Sequence, residues 1–153
     1  RDIGGDILDT GLAAGVFTAT AGIVVFLSGR FSDRVKESEL IVAAGYAIMG
    51  TGFLGYTMVH SVVELLLVQA FIGFGQALCS PSFDALYSRH VEPGRSGSQW
   101  GAWESMNYFA AAFGALAGSV VASLFGFPAL FTVMGCLAYT SAIYIYFLPR
   151  KVL

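Results

Sequence analysis

Charged and uncharged residues in this chain are sorted into long blocks. Twenty uncharged residues separate Asp9 from Arg30, twenty-four separate Glu39 from Glu64, and nineteen separate Glu64 from Asp84. From Ser105 to Pro149 no charge occurs for forty-five residues. A helix that crosses a lipid bilayer needs about 20 predominantly apolar residues. The last block is too long for one crossing, and Phe125-Gly126-Phe127-Pro128 interrupts it with turn chemistry. The pattern predicts five spans, over 10–29, 40–60, 62–86, 98–124 and 127–148. Periodicity alone does not separate such segments from buried core helices, but their lengths do. The expected fold is all-α: a polytopic membrane helix bundle with five transmembrane helices, residues 1–153 forming a single transmembrane domain.

Composition narrows the function classes. Hydrophobic residues make up 56% of the chain and charged residues 12%, against about 25% charged in soluble domains. The mean hydropathy of +0.72 points the same way. These values argue against an ordinary soluble enzyme, a disordered chain and a disulfide-stapled secreted module. A net charge of −2 leaves no basic footprint for nucleic acid. Cys79 and Cys136 fall inside spans three and five and are expected to be small apolar fillers. The sequence contains no metalloprotease, nucleophile-elbow or P-loop motif and no Cys/His cluster. Gly73-Phe74-Gly75 is embedded in an apolar span and makes a poor phosphate cradle. The expectation is therefore no enzyme activity, no cofactor and no metal.

The basic residues set the topology. Arg30, Arg34 and Lys36 lie between spans one and two, Arg89 and Arg95 between spans three and four, and Arg150 and Lys151 after span five. Five crossings put all of these on one side, with only Arg1 opposite. This positive-inside pattern predicts a cytoplasmic basic side, an outside N-terminus and a cytoplasmic C-terminus in the cell membrane. The first residue is Arg1, not Met, and no signal peptide is visible. An outside N-terminus without an export signal leads to the expectation that one more helix precedes Arg1. The short turns at His60-Ser61 and Gly126-Phe127-Pro128 predict antiparallel hairpins.

Helix faces supply candidate chemistry. At 100° per residue, Gln69, Gly73, Gln76, Ser80 and Asp84 form one stripe of span three. Lipid-facing amides are costly, so this stripe is expected to face other helices or a wet cavity. Interhelical hydrogen bonding and the lining of a pathway remain equal alternatives for the two glutamines. Asp84 is placed near Arg89 as an interfacial ion pair. In span four, Glu104, Asn107, Ala111, Gly114, Gly118 and Ala122 share a quadrant, and the small residues permit close backbone approach. Glu104 either pairs with Arg95 or Arg89 or snorkels to headgroups at the Trp100/Trp103 interface, or acts as a proton carrier, since burial favours the neutral acid. Glu64 and His60 are expected at the outer interface. Gly11, Gly15, Thr18, Gly22 and Gly29 make a packing seam on span one. Span five, with Tyr139, Tyr144 and Tyr146, reads as a peripheral helix.

The loop Gly29-Arg30-Phe31-Ser32-Asp33-Arg34 resembles the G-x-x-x-D-R signature loop of the major facilitator superfamily. The residue types have a physical reason: Gly29 lets two helix ends approach, Asp33 accepts from a helix N-terminus or an arginine, and Arg34 is an inside cation. Gly73-Phe74-Gly75-Gln76-Ala77 with Pro81 is similar to the family's fourth or tenth helix. The segment from Arg89 to Gly97 with the small-residue helix after it resembles the entry to the fifth or eleventh. The five spans would then match helices two to six or eight to twelve. The chain departs from the family at Lys36-Glu37-Ser38, where a glycine and basic residues usually follow. Gln69 stands at a common arginine, and Ala115 replaces the antiporter-associated proline.

The resemblance implies secondary active transport of a small solute by alternating access, with this chain as half or a fragment of a transporter. The alternative is a non-transporting membrane protein that uses the bundle for packing or partner binding. In the transport reading Gln69, Gly73, Gln76, Glu104 and Asn107 form the substrate pathway. Gly29, Asp33 and Arg34 form a conformational latch, and Glu104 and Asp84 are the candidates for proton coupling. The implied partners are the lipid bilayer, a small solute with or without protons, and a second bundle, either a missing half or a second copy.

Overall fold

The computed structural model describes residues 7–32 and 37–148. It contains five helices: α1 (Ile7–Ser32), α2 (Ser38–Gly55), α3 (Val62–Arg89), α4 (Ser96–Phe125) and α5 (Phe127–Phe147), with a 3₁₀ turn at Tyr56–Met58 after α2. All five are long and apolar enough to cross a membrane. Each predicted span is found, with ends displaced by a few residues. The largest difference is at the end of α2, which stops at Gly55 and passes into the 3₁₀ turn before residue 60, while α1 runs from Ile7 to Ser32 and α3 to Arg89, into their polar flanks.

Close contacts fix the helix directions. Gly45 of α2 faces Gly75 and Cys79 of α3, and Gly52 faces Ile72, so these helices are antiparallel. Gly50 faces Ala138 and Tyr139 of α5, and Gly135 faces Leu54, which makes α2 and α5 antiparallel as well. The α1 contacts Phe17–Gly73 and Ser28–Ala77 both ascend, so α1 runs parallel to α3. Gly118 meets Leu130 across the α4–α5 turn. Direction thus alternates along the chain. It brings Arg89 and Arg95 to the same side as the C-terminal end of α1, hereafter the basic end.

The core lies between α2 and α3. Val42, Met49, Ile72 and Cys79 are buried there, with Phe17 and Ile145 packed against them from α1 and α5. The Cys79 thiol donates to the Val42 carbonyl at 3.2 Å. Thr51 of α2 and Tyr139 of α5 share a hydroxyl–hydroxyl hydrogen bond of 2.7 Å.

Pro81 does not end α3. A helical proline leaves the carbonyl four residues earlier without its amide donor. Here that carbonyl belongs to Ala77, and the Ser28 hydroxyl of α1 donates to it at 3.2 Å. In lipid every backbone polar group needs a partner within the protein, so a serine on one helix allows a proline in the next. The start of α3 is capped in a similar way. The Ser61 hydroxyl accepts from the Glu64 amide at 3.2 Å, and the Glu64 carboxylate accepts from the His60 amide at 2.7 Å. Glu64 is therefore a helix-capping residue.

Two expectations about the outer helices are corrected. Gly11, Gly15 and Gly22 have open space where a Cβ would stand, so this part of the glycine seam of α1 packs on nothing among the described residues. The face of α1 that packs is the Phe17–Ser28 side. The fifth helix is not peripheral: Gly135, Ala138 and Ala142 are buried. The uncovered helix is α4, none of whose 30 residues is buried.

Candidate functional site

An open cavity of about 380 Å³ lies toward the basic end between α2, α3 and α4. Gln76 and Asp84 line it from α3, Glu104 and Asn107 from α4, and Tyr46 from α2. Phe83 and Trp103 line it as well. The Gln76 amide donates to the Ser80 hydroxyl at 3.3 Å, one turn along its own helix.

An aromatic clasp holds α4 to α3 beside this cavity. The Phe83 and Trp103 rings stack at 5.0 Å, and Tyr87 stacks on Trp103 at 5.1 Å and meets Trp100 edge-on at 5.0 Å. The Tyr87 hydroxyl donates to the Gln99 carbonyl at 2.7 Å, and the Gln99 side-chain oxygen accepts from the Glu92 amide at 2.8 Å. The connector that makes this possible turns at Gly94, whose φ of +84° is a conformation few other residues adopt. Trp100 and Trp103, expected as interface anchors, thus also bind two helices together.

A second cavity of about 750 Å³ lies at the opposite end, between α2, α3 and α5. Its walls include Phe53, Tyr56, Phe127 and Phe131, and Gln69 and His60 bring polar atoms to it. The rings of Tyr56 and Phe131 pack against each other in its wall, with centroids 4.7 Å apart.

The predicted stripe of α3 is therefore divided. Gln76 and Asp84 reach the cavity at the basic end, where Glu104 and Asn107 meet them. Gln69 opens to the other cavity. Gly73 lines neither: a Cβ there would stand 2.6 Å from the Phe17 carbonyl oxygen, so its place is the α1–α3 contact. Arg95 forms its ion pair with Glu92, at 3.3 Å, and not with Glu104. Asp84, expected beside Arg89, faces the same cavity as Glu104. Of the expected latch, Gly29 falls in the last turn of α1, and Asp33 and Arg34 lie outside the described residues. Tyr46, Phe83 and Trp103 were not singled out as lining. The sequence signal for the clasp was the grouping of Phe83, Tyr87, Trp100 and Trp103 on either side of one short connector. Both cysteines are free, and no group of metal-ligating side chains occurs among the described residues.

Comparison with known proteins adds relatives. The chain is 23% identical to the multidrug resistance protein MdtG of Erwinia billingiae (strain Eb661), over 99% of this chain and 38% of that protein. It is 27% identical to the membrane sensor protein UhpC of Escherichia coli (strain K12), over 90% of this chain and 31% of that protein. It thus spans about a third of the length of these curated relatives. No solved structure matches it. The model of the Major Facilitator Superfamily matches residues 1–152. With that match and five membrane-length helices of alternating direction, the chain belongs to the major facilitator superfamily and is a multi-pass membrane protein.

Proposed function

We propose that this chain supplies one bundle, or part of one, of a secondary transporter that moves a small solute by alternating access. The observation that carries this reading is the convergence of Gln76, Glu104 and Asn107 from two helices on one open cavity. Polar and ionisable side chains at membrane depth are costly, and they mark solute and ion pathways. In this reading residues 1–153 form a single transmembrane unit that catalyses no chemistry on its solute. Its basic end faces the cytoplasm of the cell membrane. A second bundle, from further sequence or a second copy, faces the cavity, and rocking of the two exposes it to each side in turn. Gly29, Asp33 and Arg34 act as the latch between the states, which need differ by only a few kcal/mol. Glu104 and Asp84 are the groups through which protons couple.

The test is reconstitution in vesicles with a panel of solutes, with and without a pH gradient. Wild type is expected to move at least one solute. Gln76→Ala and Glu104→Gln are expected to slow it roughly tenfold, as loss of one hydrogen bond to a polar or charged solute would. Glu104→Gln is also expected to remove the response to the gradient. Equal flux in all three proteins for every solute would sink the proposal. A second reading, a non-transporting member that uses the bundle to bind a partner, draws on the likeness to a protein named as a membrane sensor. Solute binding without flux in the same vesicles would favour it.

A further inference from the structure

The cavity at the basic end combines features that select a class of solute, an inference that rests on the transport reading above. Asp84 and Glu104 bring two carboxylates to it, and among the described residues no lysine or arginine lines it. Arg95 does not pair with either carboxylate, because it is held by Glu92 at 3.3 Å. The rest of the wall is polar at Gln76, Ser80 and Asn107, with the Gln76 amide held by the Ser80 hydroxyl, and otherwise apolar and mainly aromatic. Tyr46, Phe83 and Trp103 face the cavity, and the Phe83–Trp103 stack, at 18° between ring planes, holds two of these rings in fixed orientation.

Each alternative solute class leaves part of this lining unused. An inorganic cation takes oxygen ligands and gains little from three rings. A neutral apolar molecule would cover two carboxylates without pairing them, which is costly. An anion would be repelled by both. A cation with an apolar body satisfies the carboxylates through its charge and the rings through cation–π and stacking contact, where tryptophan is the strongest partner. The volume of about 380 Å³ falls within the range of pockets for small organic ligands. Tyr46 and Phe83 also line a crevice of about 390 Å³ with Thr140, Tyr144 and Ile145 of α5. The cavity therefore shares an aromatic wall with the flank of the bundle. We propose that this cavity binds an organic cation with an apolar or aromatic body.

The test uses the full chain in nanodiscs of zwitterionic lipid, with empty discs subtracted. The probes are tetraphenylphosphonium and tetraphenylborate, nearly equal in shape and opposite in charge. Tetraphenylphosphonium is expected to bind saturably and tetraphenylborate not at all. Asp84→Asn with Glu104→Gln is expected to weaken binding of the cation by roughly tenfold or more, as loss of close charge pairs would. Glu104→Asp, which keeps the charge, is expected to retain it and guards against misfolding of the double variant. Undiminished cation binding in the double variant, or equal saturable binding of both probes, would overturn the proposal. If the double variant binds normally while flux of a neutral solute depends on Gln76, the cation class falls and the transport reading stands. If binding needs both carboxylates yet no solute moves, the class stands and the transport reading falls.

Discussion

The α2–α3 contact and helix α4 use the same kind of residue to opposite ends. At Gly45 an added Cβ would stand 2.5 Å from the Cys79 sulfur and 2.7 Å from the Gly75 carbonyl oxygen, so only glycine allows the two backbones this close. On α4, Gly101 and Gly114 have open space at the same position, and no residue of the helix is buried. Lipid tails are as apolar as leucine, so helices associate in membranes through close packing and not through a hydrophobic drive. A small-residue stripe therefore permits approach without requiring it. The contrast teaches that α2 and α3, with α1 and α5 against them, form the fixed part of the chain. Helix α4 keeps its surface for lipid, solute or another helix.

The largest expected effect breaks the fixed part. Gly45→Val forces the α2 and α3 backbones apart and is expected to cost about 3 kcal/mol or more. Thermal unfolding of the purified protein in detergent, followed by circular dichroism, measures this. An unshifted midpoint would mean that the close approach contributes nothing. A smaller effect is expected from Trp103→Ala, which removes the stacks on Phe83 and Tyr87. At about 0.5–1.5 kcal/mol for each aromatic pair, hydrogen exchange should quicken at the start of α4 and stay unchanged at Val42 and Ile72. Equal acceleration in all three places would show that α4 is not an independent element. The smallest effect sharpens the comparison. Gly114→Ala meets no neighbour among the described residues and replaces a poor helix former, so it should stabilise by about 0.5–1 kcal/mol. A measured loss would show that this face of α4 is covered.

The helices were legible because a bilayer core excludes charge, so the gaps between charged residues mark the crossings directly. Their ends were less so. Span three was expected to run past Pro81 to 86, but the hydroxyl from Ser28 that takes up the freed Ala77 carbonyl is far away in sequence, and nothing local to the proline announces it. The polar stripe of α3 was legible as a stripe but not as a site. Gln69 and Gln76 are two turns apart and open to different cavities, and Gly73 between them is closed off by the Phe17 carbonyl. Angular position fixes which side a residue takes, whereas the neighbouring helix decides whether that side is filled. Glu104 was legible as costly, whereas the Arg95 pairing considered for it is not formed, because Arg95 binds Glu92. The identity of α4 as the exposed helix was not readable, since α1 and α4 carry equivalent glycine patterns.

The attachment of α4 has a mechanical consequence. The rings of Trp100 and Trp103 hold it near one terminus, and at the other it joins α5 through Gly126, whose φ is +83°. A rod supported at its extremities deflects most at midspan and strains its supports little when it does. Between Asn107 and Gly114 no residue of this rod is buried, so a sideways bow there would widen or narrow the space beside Gln76 at less cost than parting either anchorage.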